Sequence, residues 1–189
     1  MQIVLTPLDD IARRYGNALG ALGRDGARTA MMRALNHEGD KGRTKVRRAL
    51  ARQMRLPYGL MVRAVVATRA WTGEGGSLEY VLRSKGGPIS LKYYRGRETR
   101  AGAKSRAPGM EGPFPKGFIR GGRWPRKGNP PAFGGHVMER VGASRLPLRK
   151  LKGPAIPDEM VKGESVAAWE TVPPALERRV GHEIFRLLR

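Results

Sequence analysis

The stretch that most limits what this chain can fold into runs from residue 89 to residue 154: ISLKYYRGRETRAGAKSRAPGMEGPFPKGFIRGGRWPRKGNPPAFGGHVMERVGASRLPLRKLKGP. It opens on a strand-like run, Ile89 to Tyr94, and returns through a second one, His136 to Val141. Between them, residues 95–131 are too rich in Gly and Pro to hold a helix. This middle part carries Arg95, Arg97, Arg100, Lys104, Arg106, Lys116, Arg120, Arg123, Arg126 and Lys127. Its acids are Glu98 and Glu111 alone. So long a loop inside a compact domain is either functional or partly disordered. Two strands that hold a cationic loop between them present it to something anionic. Phe114, Phe118 and Trp124 are spread through the segment, so part of it is expected to pack or to stack.

The flanks read as support. Residues 1–6 form an apolar arm, an edge strand or a docking tail. Thr6 and Pro7 suit a helix start, followed by Leu8, Ile11, Tyr15, Ala18, Leu19 and Leu22 on one face. Gly23 suits its end. A second helix is expected from near Asp25 toward Met54; Gly39 and Gly42 weaken it, which leaves a continuous helix and a break near residues 36–42 as the two options. Lys41, Arg43, Lys45, Arg47, Arg48, Arg52 and Arg55 make its outer face cationic. Strand character follows at 61–67, 78–83 and 89–94, suggesting an antiparallel meander. After Pro154 the chain looks polar and loop-like, until a final helix after Pro173-Pro174 with Leu176, Val180 and Ile184 on its apolar stripe. The expected fold is α+β: N-terminal helices on an antiparallel sheet with a long basic loop, and a C-terminal helix. Residues 1–160 are read as the α+β domain with basic loop 95–131, and residues 161–189 as a linker and helix.

Composition narrows the function. Lys and Arg number 37 against 16 Asp and Glu, a formal charge of +21 over 189 residues. Solubility alone needs a charge of only about 2–8 in a small domain. The excess favours a polyanionic or acidic partner, with a merely solvated basic surface as the bland alternative. The absence of cysteine removes disulfides, thiolate metal sites and thiol nucleophiles. No apolar run approaches the roughly 18 residues of a membrane span, and the N-terminus lacks the basic start of a secretory signal.

Reactive constellations are not visible. There is no phosphate-binding loop motif, no dinucleotide fingerprint and no nucleophile elbow. His182-Glu183 lacks a second His at metalloprotease spacing, where Arg186 stands. His37, His136 and His182 are too scattered to suggest a metal site, and neither a metal nor a cofactor is expected. Glu98 with Glu111, or Glu38 with Asp40, form candidate carboxylate pairs, though each acid also lies among Arg and Lys. The basic loop with interleaved aromatics is the better signal. Its cations neutralise phosphates, and its rings stack bases or pack the loop. It carries no base-reading signature, so contact with nucleic acid would be to the backbone. The competing partner is an acidic face of a neighbouring subunit.

Arg145-Leu146-Pro147-Leu148, with Leu151 and then Gly153-Pro154, resembles the Arg-Leu-Pro-Ile/Leu and Gly-Pro segment of the phage minor tail protein Z family, the tail completion or head–tail joining proteins. Other pieces follow in the same order. Ala34-Leu35-Asn36 resembles the family's first helix, and Ile89 to Tyr94 with Arg100-Ala101-Gly102 resembles its strand and following Arg-x-Gly. Phe118-Ile119 and residues 134–140 resemble the strand that precedes the Arg-Leu-Pro motif. The likeness covers roughly residues 30–158, departing around 110–115 and at Asn129-Pro130-Pro131. It implies a virion structural protein without enzymatic activity, made in the host cytoplasm and placed at the tail–head junction. The implied partners are further copies of itself in a ring, commonly six-fold in related neck proteins, the tail tube or terminator, the head connector, and packaged DNA without sequence specificity. A sequence-neutral nucleic-acid-binding protein outside any virion is the alternative.

Overall fold

The computed structural model describes residues 1–6, 9–120 and 133–189. The proposed helix start at Pro7, together with Arg123, Trp124, Arg126, Lys127 and Pro130-Pro131, lies outside the described residues. The chain is α+β, and its axis is one helix. Helix α1, Asp9–Ala21, is followed by α2, Gly23–Gln53, of 31 residues. At about 1.5 Å per residue, α2 is roughly 45 Å long. Gly23, the first residue of α2, turns the chain out of α1 at φ +68°, a left-handed conformation that glycine adopts without a Cβ penalty.

Helix α2 does not break at residues 36–42. Its buried stripe runs Ala30, Met31, Ala34, Leu35, Glu38, Gly39, Gly42, Val46, Ala49 and Leu50, at helical three- and four-residue spacing. The two glycines are contact points in that stripe. A Cβ on Gly39 would lie 2.4–2.6 Å from three ring carbons of Tyr80. A Cβ on Gly42 would lie 2.6 Å from Val172 Cγ2 and 3.0 Å from Trp169 Cζ3. Close packing there outweighs the roughly 1 kcal/mol that glycine costs in a helix interior.

Tyr80 opens strand β3, which is the centre of a three-stranded antiparallel sheet. The strands are β1, Gln2–Leu5, β2, Val65–Thr68, and β3, Tyr80–Ser84, in the order β1-β3-β2. The apolar arm is therefore an edge strand, with Val4 opposite Val81. The strand expected over 61–67 is split. Residues Tyr58–Ala64 form helix α3, and only then does β2 begin. Arg47 of α2 donates from Nε to the Val65 carbonyl at 3.1 Å and from a terminal nitrogen to the Val62 carbonyl at 3.1 Å. Those carbonyls lie at the helix end, where acceptors lack intrahelical partners.

The run Ile89 to Tyr94 is not one strand either. Strand β4, Pro88–Ser90, gives way to a 3-10 helix, Leu91–Tyr94. Leu91 and Tyr94 are both buried. Residues three apart share a face on a 3-10 helix and oppose each other on a strand, so burying both selects the helix. Beyond it come β5, Arg97–Thr99, β6, Gly102–Lys104, β7, Gly117–Phe118, β8, Met138–Arg140, β9, Leu148–Lys150, and β10, Lys152–Ala155. Strand β4 pairs with β10, β5 with β6, and β8 with both β7 and β9. The two runs expected to embrace the loop thus do not pair with each other.

The segment after Pro154 is helical rather than loop-like: α4, Ile156–Met160, α5, Gly163–Glu170, and α6, Val172–Leu187. Ile156, Met160, Trp169 and Val172 join the same core as Leu35 and Leu50, so the core continues through residues 161–189. The last helix begins at Val172 with its prolines in the first turn, and Leu176, Val180 and Ile184 are buried as the spacing predicts.

Two glycine substitutions separate packing from propensity. Gly39→Ala drives a methyl into the fully buried Tyr80 ring and is expected to destabilise the fold by about 2–3 kcal/mol. Gly16→Ala in α1 meets nothing within 4 Å and is expected to stabilise it by about 0.5–1 kcal/mol. Urea denaturation of both variants measures the two signs.

Candidate functional site

The first half of the basic segment is an ordered hairpin. Arg95, at φ +52°, ends the 3-10 helix in a left-handed turn and sends the chain into β5. Gly102 sits at φ +111°, and a Cβ there would lie 2.1 Å from the Phe114 carbonyl oxygen. Ala103 exchanges backbone hydrogen bonds with Phe114 at 3.1 and 2.8 Å, Ser105 N–H donates to Glu111 O at 2.9 Å, and Arg106 N–H donates to Tyr94 O at 2.9 Å. From Ala103 to Ala107 small residues alternate with cations. Ala103, Ser105 and Ala107 point inward and are buried, while Lys104 is half-buried and Arg106 exposed.

That alternation gathers charge. Arg97 and Lys104 are direct cross-strand partners, a like-charge pair of the kind that destabilises a hairpin. With Arg95 and Arg106 they line a cavity of about 370 Å³. Glu111 also lines it, but its carboxylate is paired with Arg55 at 3.2 Å. Among the described residues, none of the four cations has an ion-pair partner.

The remaining cations take other places. Arg100 and Lys116 line a second cavity of about 440 Å³, together with Phe118 and Arg140. The Arg140 guanidinium lies 5.4 Å from the centre of the Phe118 ring, and Phe133 meets that ring edge-on at 6.3 Å. Arg120 is exposed, and its N–H donates to Glu98 Oε2 at 2.7 Å; Ile119 N–H donates to the same oxygen at 3.0 Å. The candidate carboxylate pair is therefore split, with Glu98 fastening residues 119–120 to the hairpin and Glu111 paired with Arg55. Glu38 is paired with Lys41 and His37, both at 2.9 Å. Asp40 accepts from Tyr80 at 2.8 Å and from Arg69 at 2.6 Å.

The Arg-Leu-Pro segment forms the turn between β8 and β9. Arg145 and Leu146 are exposed there, the Pro147 carbonyl accepts from Val141 N–H at 3.2 Å, and Leu148 opens β9. Gly153 and Pro154 lie in β10. Gly153 is a close-approach point, since a Cβ would meet Tyr94 Cε2 at 2.9 Å and Ala107 Cβ at 3.3 Å, beneath the root of the hairpin. Burial, with Glu159 adding to it, pushes the Tyr94 phenol up to about 12.

Two arrangements escaped sequence reasoning. In the first, Ser90 Oγ lies 2.7 Å from His136 Nδ1, and Lys150 Nζ lies 3.1 Å from His136 Nε2. An ammonium only donates, so Nε2 accepts, and the neutral ring carries its proton on Nδ1 toward Ser90. In that tautomer the imidazole does not take the proton of Ser90. Desolvation, then Lys150 and Lys92, hold the imidazole below its ordinary value.

The second is a groove of about 890 Å³ along α2 and α6. Arg33, Lys41, Lys45, Arg48 and Arg69 line it from one side, and Arg179 and Arg186 from α6. Glu183 in its floor is 1% exposed and is paired with Arg179. The α2 cations were legible, but their meeting with α6 links residues far apart in sequence. Nor do all the α2 cations remain open. Arg43 is paired with Asp40 at 3.2 Å, Arg52 with Glu164 at 3.2 Å, and Arg47 with backbone carbonyls. Among the described residues, no three His, Asp or Glu side chains come together as a metal site requires.

Fold and surface together define an α+β protein that displays separate clusters of cations. Comparison of the chain with protein-family models, with curated proteins and with solved structures finds no match.

The His136 contact gives a pH dependence with a fixed sign. The folded ring binds its proton less readily than the unfolded one, whose ordinary value is 6.5. The contribution to stability is full above that value and is lost as the pH falls through the lower folded one. Imidazole NMR is expected to place the His136 midpoint below 6.5, and Lys150→Met is expected to raise it.

Proposed function

We propose that this chain is a structural virion protein of a tailed phage or prophage, one that completes the tail and joins it to the head as a ring around the DNA channel. The observation that carries the reading is the hairpin cluster. Arg97 and Lys104 are held opposite each other, with Arg95 and Arg106 beside them and no acid paired to any of the four among the described residues. A like-charge pair fixed in a hairpin costs stability in the lone subunit. An acidic face of a neighbouring subunit, or a phosphate backbone, offsets that cost. The resemblance of residues 30–158 to the tail completion proteins supplies the setting. A ring multiplies one hairpin into a collar of positive charge, suited to packaged DNA and to acidic faces of tail tube and connector alike. The reading is of a non-enzymatic protein, supported by the tautomer that Lys150 imposes on His136 beside Ser90. It is also consistent with the absence, among the described residues, of any helix long and apolar enough to cross a membrane.

The same hairpin favours a second reading, a sequence-neutral nucleic-acid-binding protein. Its cations neutralise phosphates, and neither an aromatic box nor a zinc-finger spacing accompanies them.

One combined variant separates the two: Arg95→Glu, Arg97→Glu, Lys104→Glu and Arg106→Glu. Mass photometry of the purified chain with isolated tail tubes is expected to show added ring mass at tube ends for the wild type and none for the variant. Circular dichroism checks that the variant folds. If the wild type ignores tubes but binds duplex DNA, the second reading takes over. Its salt slope, about −0.9 per neutralised phosphate, should then shrink by roughly 3–4 in the variant.

A further inference from the structure

The turn that joins β2 to β3 holds Trp71 in the open. Trp71 is 63% exposed, yet its backbone is fixed from several sides. The side-chain amide of Asn36 clamps Ala70, donating to its carbonyl at 3.0 Å and accepting its N–H at 2.9 Å. Trp71 N–H donates to Ser77 O at 3.0 Å, and Gly76 N–H donates to Gly73 O at 2.8 Å. Gly73 lies against the indole so closely that a Cβ would come within 2.4 Å of Nε1. A large apolar ring held this firmly outside the core is a preorganised platform, because little freedom remains to be lost when something covers it.

Asn36, which clamps the turn, also lines the groove along α2 and α6, so the ring stands beside the groove. Arg69 is among its walls, as is Met32, whose sulfur accepts from Thr72 Oγ1 at 3.7 Å. Also along the groove, Arg33 and Arg48 have no carboxylate partner among the described residues. We infer that Trp71 and this groove form a binding site for single-stranded nucleic acid, with one base stacked on the indole and the adjoining phosphates on the groove's cations. The single strand follows from the ring. An exposed indole offers a flat π-face to a base, and a duplex hides its base faces. An acidic peptide satisfies the cations equally well but leaves the ring without a matching surface. The site shares no residue with the hairpin, so it stands or falls independently of the virion reading.

The test is fluorescence anisotropy of a labelled 15-mer of thymidylate and of a 15-base-pair duplex, each titrated with the full chain. Trp71→Ala is expected to weaken binding of the thymidylate strand about ten-fold, with its salt slope unchanged and duplex binding unaffected. Arg33→Gln with Arg48→Gln is expected to reduce the slope by about 1.4, at roughly 0.7 per phosphate on a single strand. Trp71→Phe keeps a stacking ring and is expected to stay within about three-fold of wild type. The four-fold hairpin variant is expected to retain the component that depends on Trp71. Thermal melts confirm that each variant folds. Three results overturn the inference: Trp71→Ala binding the strand as wild type does, Trp71→Ala losing strand and duplex equally, or polyglutamate displacing the strand as readily as unlabelled thymidylate.

Discussion

Everything in this fold rests on how closely other elements approach the middle of α2. Gly39 lets the Tyr80 ring lie on the helix backbone, and Gly42 does the same for Trp169 and Val172. One glycine therefore docks the sheet, and the other docks the C-terminal helices. The Tyr80 hydroxyl donates to Asp40, one residue along from Gly39, so the apolar contact is fastened by a polar one. Burial, followed by the neighbouring Asp40 carboxylate, raises the pKa of this phenol well above its ordinary value, which keeps it neutral and a donor at physiological pH. Chain termini far apart in sequence thus share one core.

The charge is distributed by the same framework. Some cations are occupied within the subunit: Arg43 and Arg69 by Asp40, Arg52 by Glu164, Arg47 by backbone carbonyls. Others are held in fixed geometry without an acid. The hairpin sets Arg97 against Lys104, and the α2–α6 groove keeps Arg33 and Arg48 open. A flexible tail does not keep like charges side by side, whereas the β-ladder sets the backbone of Arg97 directly opposite that of Lys104. The difference between the hairpin and an ordinary solvated basic surface lies in that constraint.

Much of the architecture was legible beforehand. Helical spacing placed α1, α2 and the stripe of α6, and the edge strand at the N-terminus was one of two stated options. The misses share a cause. The option of a break at Gly39 and Gly42 rests on the cost of glycine in a helix, whereas in the fold each glycine is a contact. Residues 89–94 have strand character in the sequence, while the burial of both Leu91 and Tyr94 requires a helical turn. The hairpin at 97–104 left a trace in the small–cation alternation from Ala103 to Ala107, which the density of Gly and Pro nearby obscured. Helices α4 and α5, of five and eight residues, are too short to display a period. Seven of the ten cations predicted to act together are described, and they divide between two cavities and the exposed Arg120 rather than forming one loop surface.

Composition and periodicity alone determined that this chain is α+β, strongly cationic, free of cysteine chemistry and built around long amphipathic helices. These are local properties, set by which side chains recur at which spacing. Only the tertiary structure decided which cations meet, which are neutralised, and where an aromatic ring stands free beside them. Those outcomes depend on pairs such as Arg52 with Glu164, or Asn36 with Ala70, whose separation along the chain no periodicity records and whose proximity packing alone creates.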